Sequence, residues 1–171
     1  MTEQNAGAAP EAATSYTVAG KYLTFQLGHE NYGISVMNIQ EIIALIPITR
    51  VPGVADFVRG VINLRGRIIP VFDLRKKLDF GVVEETKRTC IIIVEIGLAK
   101  ELVTGGVIVD EVVDVVDIGE EDIDLSPEYG ASVGSDTILG LGRVKEQIKI
   151  LLDIEKIFPW EEMKGLVRSA S

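Results

Sequence analysis

One cysteine, one histidine and one tryptophan in 171 residues leave little material for most enzyme chemistry. With His29 as the only histidine, placed in a turn-like stretch, no Ser/His/Asp or Cys/His machinery can be assembled within the chain. Zinc needs clustered Cys and His at ligand spacing, and no such cluster exists. Cys90 alone excludes a disulfide framework within one chain and fits a reducing compartment; opening an apolar run, it reads as an inert core thiol. Basic residues are outnumbered 17 to 26, giving a net charge of -9, which argues against a surface built to hold nucleic-acid phosphates. No apolar run reaches ~18 residues, and the N-terminus lacks a charged head before an apolar stretch. Neither a spanning helix nor a signal peptide is expected. No catalytic residue, no cofactor and no metal site is expected either.

What is abundant is β-branched. Isoleucine and valine together number 41 of the 171 residues, which favours pleated, half-buried surfaces over a helical bundle. Residues 1–20 are small and polar and read as a flexible tail that cannot repay its ordering entropy. From Lys21 to about Phe158, short apolar runs alternate with turn residues. Tyr22–Leu27 and Tyr32–Val36 flank a turn and predict a hairpin. Further strands are expected at Val61–Leu64, Arg67–Phe72, Cys90–Ile96, Leu102–Asp110, Val112–Val116, Leu139–Val144 and Gln147–Leu152. Short helical pieces are expected around Val54–Arg59, Asp73–Leu78, Asp153–Ile157 and Glu161–Val167. Many short, evenly spaced strands predict a sandwich or barrel.

The chain also resembles itself. Val58–Leu78 aligns without gaps on Ile138–Phe158 at an offset of 80, placing Gly60 on Gly140, Asp73 on Asp153 and Lys76 on Lys156. Upstream, Tyr22–Leu27 resembles Ile92–Gly97 at an offset of 70, and Ile39–Ile42 resembles Val112–Val115 at 73. Two related β modules are therefore expected, about 21–80 and about 88–158, packed together with a seam between them. Strand exchange between them is compatible with this reading, and 159–171 reads as a tail or short helix.

Charge is divided unevenly. Seven basic residues stand against two acids from Arg50 to Lys77, and ten acids against no base from Glu101 to Tyr129. Either these are two solvated faces, or opposed patches that orient different partners. The acids between Asp110 and Asp124 lack the loop glycine and ligand spacing of a calcium site, and several alternate with valines as on an exposed strand face. Gly140 and Gly142 sit inside a strand pattern, where they imply a bend or a close backbone approach.

The run FVRGVINLRGRIIPVFDLRKKL (57–78), preceded by NIQEII (38–43), closely resembles the chemotaxis coupling protein family of CheW-like domains. GVIVDEVVDVVDI (106–118), ILGLGRV (138–144) and ILLDIEKIF (150–158) continue the pattern through the second half. The resemblance implies a mainly β fold: two pseudo-repeated five-stranded SH3-like barrels packed together, with a few short helices. It implies a non-catalytic adaptor joining the cytoplasmic tips of chemoreceptors, the methyl-accepting chemotaxis proteins, to the regulatory domain of the histidine kinase CheA in receptor arrays. Such a protein is cytoplasmic, recruited to membrane-associated arrays without inserting into the membrane, and binds no nucleic acid.

Glu41 and Arg65 match the family's characteristic Glu and Arg, and a guanidinium can engage a carboxylate through two parallel hydrogen bonds. The pair reads either as shaping the receptor-binding face or as a structural ion pair. Ile39 and Ile42 read either as core or, as the resemblance implies, as part of the groove that receives the receptor hairpin; Val112 and Val115 are their repeat equivalents. Gly60 permits a bend or close approach, and Asn63 reads as a turn residue bonding the backbone. Two other functions remain open at this stage. One is a CheW-like regulatory domain or adaptor fragment of a larger signalling protein, against which stands the chain's ending soon after Phe158. The other is a nucleic-acid-binding small barrel resting on the basic 50–77 stretch.

Overall fold

The computed structural model describes residues 18–80, 84–98, 100–125, 137–161 and 163. Eleven strands run in chain order: β1 (Gly20–Leu27), β2 (Glu30–Ser35), β3 (Ile39–Ala44), β4 (Val58–Leu64), β5 (Arg67–Asp73), β6 (Cys90–Leu98), β7 (Glu101–Val109), β8 (Glu111–Ile118), β9 (Ile123–Asp124), β10 (Ile138–Val144) and β11 (Gln147–Leu152). Two single-turn helices, α1 (Leu74–Lys77) and α2 (Ile154–Ile157), follow β5 and β11. Each is capped by an aspartate, Asp73 or Asp153, whose side chain accepts the backbone N–H two residues on. The fold is mainly β. No helix among the described residues is long and apolar enough to cross a membrane.

The strands form two sheets, ordered β8-β1-β2-β11-β10-β9 and β3-β6-β7-β5-β4. Both sheets cross the boundary expected between 80 and 88, because the hairpins β1–β2 and β6–β7 each pair with strands from the other half of the chain. The same scheme occurs twice. β5 runs parallel to β7 as β11 runs parallel to β2, and β3 flanks β6 as β8 flanks β1. The offset of 80 is exact in the register: Val58↔Phe72 and Leu64↔Arg67 become Ile138↔Leu152 and Val144↔Gln147. The offset of 70 is corrected to 69, since Ile42↔Ile92 corresponds to Val115↔Leu23 and Ile39↔Val94 to Val112↔Phe25. One residue of slip matters in a strand, because it moves every side chain to the opposite face.

Each sheet wraps its own apolar cluster. Ile62, Ile69, Val71, Ile91, Ile93 and Ile108 fill one, and Tyr22, Ile118 and Leu151 the other. A larger common core lies between the sheets, with Leu23, Phe25 and Leu27 from one and Ile92, Val94 and Ile96 from the other. Successive residues of β6 therefore enter different cores, which is why Ile91–Val94 is apolar without alternation and fully buried. Three expectations are corrected here. Val54–Arg59 is a chain of turns leading into β4 rather than a helix. Val18 is already buried and β1 begins at Gly20, so the ordered chain starts before Lys21. It also continues past Phe158, because Trp160 and Met163 complete the common core. The helix expected at Glu161–Val167 falls outside the described residues except for Glu161 and Met163.

Candidate functional site

The four apolar candidates lie on the two outer strands, β3 and β8, one at the end of each sheet. Ile39 and Ile42 are three residues apart, a spacing that would put them on opposite faces of a regular strand. A bulge between Ile39 and Glu41 restores them to one face: Ile39 pairs with Val94 and Ile42 with Ile92, both facing the common core. In β8 the irregularity opposite Thr24 and Phe25 does the same, pairing Val112 with Phe25 and Val115 with Leu23. All four therefore edge the seam between the sheets. Ile39 and Val112 are partly buried against the core, whereas Ile42 and Val115 remain 44% and 51% exposed. Cys90, paired with Ala44 of β3, takes a backbone hydrogen bond from Val112 of β8 and ties the two edges together. Burial pushes the Cys90 thiol above its ordinary pKa, so it stays protonated and unreactive.

Glu41 points the other way, and an Arg65 guanidinium nitrogen bonds its carboxylate through a single contact rather than two parallel ones. Arg65 and Gly66 form the two-residue turn between β4 and β5, both at positive φ (52° and 86°), as a type I′ turn requires. Asn63 Oδ1 accepts the Gly66 N–H at 2.9 Å and braces that turn. The ion pair thus joins the two outer strands of the five-stranded sheet. Gly60 serves a close approach: a Cβ there would lie 2.0 Å from the Thr49 carbonyl oxygen, which accepts the Val61 N–H.

Comparison with known proteins follows the same residues. The CheW-like domain family matches residues 21–162. A chemotaxis protein CheW from Klebsiella aerogenes is 39% identical over 147 residues, 86% of this chain and 86% of the relative. Another, from Thermotoga maritima, is 36% identical over 138 residues, covering 79% and 85%. The solved scaffolding protein TtCheW of Thermoanaerobacter tengcongensis superposes with a TM-score of 0.73 at 32% identity, across 82% of this chain and 93% of that one. The chain belongs to the CheW-like family. Its function is that of a non-catalytic chemotaxis coupling adaptor, not of an enzyme.

Within this CheW-like domain the basic stretch Arg50–Lys77 is not the continuous patch its sequence suggests. Arg75 is 2% exposed, with Nε 2.8 Å from Asp73 Oδ1 and Nη1 3.2 Å from Asp110 Oδ1. Arg59 reaches Asp73 at 3.1 Å and Glu85 at 3.0 Å. Asp110 also accepts the Gly28 N–H at 2.8 Å, so one network ties the β7–β8 crossover to α1 and the β1–β2 turn. This removes the main support for nucleic-acid binding. The sequence carried one trace of the network: Arg75 falls on Glu155 in an otherwise matching repeat.

Burial pushes the Asp73 carboxyl upward, but the hydrogen bonds and charge of Arg75, aided by Arg59, outweigh it and leave the pKa below its ordinary 3.8. A carboxylate with a depressed folded pKa stabilises the fold fully above the unfolded value, and that contribution disappears as pH falls through the folded one. Wild-type protein should therefore lose stability in acid below its ordinary carboxylate range. Asp73→Asn should be about 3–5 kcal/mol less stable at neutral pH, because it leaves a buried guanidinium short of its partner. Its stability should also vary less between neutral pH and acid. Urea melts across that range check both, and parallel curves for the two proteins would refute the assignment.

Proposed function

We propose that the protein couples chemoreceptor cytoplasmic tips to the regulatory domain of the kinase CheA, at membrane-associated receptor arrays in the cytoplasm. The receptor tip docks along the seam edged by Ile39, Ile42, Val112 and Val115, and the Arg65–Glu41 pair holds the β3 edge in place. The observation that carries this reading is the pair of bulges. On two different outer strands, each bulge turns two apolar residues toward the seam while leaving one of them half in solvent. A solvated apolar strip along a rigid seam suits an amphipathic helical partner, whose apolar face would exclude water from it.

Ile42 is a better probe than Ile39, because Ile39 also packs against the common core and its loss would confuse folding with binding. Ile42→Asp should weaken capture of a receptor signalling-tip fragment about a hundredfold, equivalent to ~2.7 kcal/mol, while its circular dichroism stays native. Arg65→Ala should weaken receptor capture and leave capture of the kinase regulatory domain intact. Undiminished receptor affinity in a folded Ile42→Asp protein would place docking elsewhere. Equal loss of both partners with a lowered melting temperature would reduce Arg65 to a structural role.

A further inference from the structure

We propose that the cleft between the β3–β4 connection and α1 binds one carboxylate side chain of an acidic peptide, anchored by Arg50 and Lys76. The cleft holds about 340 Å³. Leu45, Ile46, Pro47 and Ile48 form an apolar wall, facing Arg50, Arg59 and Lys76, with Asp56 and Glu85 also at the lining. The three cations are not equally engaged. Arg59 is held by Asp73 and Glu85 at 3.1 and 3.0 Å. Lys76 lies 3.6 Å from Asp56, whose side chain is 88% exposed, so that pair is weak and easily exchanged. Among the described residues, Arg50 enters no ion pair.

Charge decides the class of ligand. Three cations against two carboxylates leave the lining one positive charge in excess, within a chain of net charge -9. One further carboxylate neutralises it, whereas a phosphate dianion would overshoot and meet Asp56 and Glu85. The apolar wall beside the cations suits an acidic residue followed by an apolar one. Arg50 is also held ready at its backbone. Thr49 and Val61 exchange two 2.9 Å hydrogen bonds, and the absent Cβ of Gly60 lets Thr49 and Arg50 lie directly against β4. The second half of the repeat lacks this site. There Leu139 occupies the bulge position of Arg59, and Leu125 lies beside Gly140 as Arg50 lies beside Gly60.

The test is an amide NMR titration of the full chain with N-acetyl-Glu-Leu-amide, its Gln counterpart and inorganic phosphate, repeated on Arg50→Gln. The expected result is saturable shifts confined to 45–50 and Lys76 with the Glu probe. The Gln probe, and the Arg50→Gln protein with the Glu probe, should each bind about fivefold more weakly, with the rest of the spectrum unchanged. Equal response to Glu and Gln, shifts scattered over all surface cations, or indifference to Arg50→Gln would overturn the proposal. So would phosphate binding more tightly than the Glu probe. Neither receptor nor kinase is present in the titration, so failure here would leave the coupling reading untouched.

Discussion

Trp160→Ala is expected to destabilise the protein by about 3–5 kcal/mol, the range for deleting a large buried aromatic. Trp160 is 2% exposed and donates its indole N–H to the Ile154 carbonyl at 2.8 Å. Its ring meets Phe72 and Phe158 edge-on, at centroid distances of 5.1 and 5.9 Å. Gly105 makes the slot it fills, since a Cβ there would fall 2.5 Å from the indole. Removing the ring leaves a void in the common core between two sheets that are fixed elsewhere by hydrogen-bonded strands, so collapse into it is limited. Urea denaturation should show a lower midpoint with an unchanged slope. A loss under ~1 kcal/mol would mean that the segment after Phe158 is dispensable, as its sequence alone suggests.

Gly60→Ala should be nearly as damaging, on the order of 4 kcal/mol, by combining backbone strain at a sparsely populated conformation with overpacking. At φ +141° a side chain is strained, and the new Cβ would press on the Thr49 carbonyl at 2.0 Å and on backbone that is itself bonded to Val61. Gly66→Ala provides the control. It also has positive φ, 86°, but nothing lies within 4 Å of its Cβ position, so only the left-handed penalty of ~1–2 kcal/mol remains. Thermal melts of the two variants separate the explanations. Equal losses would show that the close approach of Thr49 contributes nothing.

Much of the candidate site was legible in residue types and little of it in geometry. Arg65, Gly66 and Asn63 read as a turn because two positive φ values and an Asx bond are local properties. The shared face of Ile39 and Ile42 was not legible, because strict alternation separates them and only the bulge opposite Val94 and Ile93 reunites them. The same holds for Val112 and Val115. Arg75 looked like one more surface cation. Its burial depends on Asp110, 35 residues away, arriving at the β7–β8 crossover.

The sequence by itself determined the β-rich class, most strand positions and the 80-residue repeat, because β-branched runs, turn residues and Asp caps act over a few neighbours. Even Asp73 and Asp153 cap their helices as the repeat demands. Only the tertiary structure decided which strands share a sheet. Hairpin register is closed by two-residue turns, whereas the choice of partner for a whole hairpin depends on where its two faces can be buried. Isoleucines 91–93 need apolar surroundings on both sides, and the exchange of β1–β2 and β6–β7 provides them. It places one face in a barrel interior and the other in the common core, an outcome no local stretch of sequence contains.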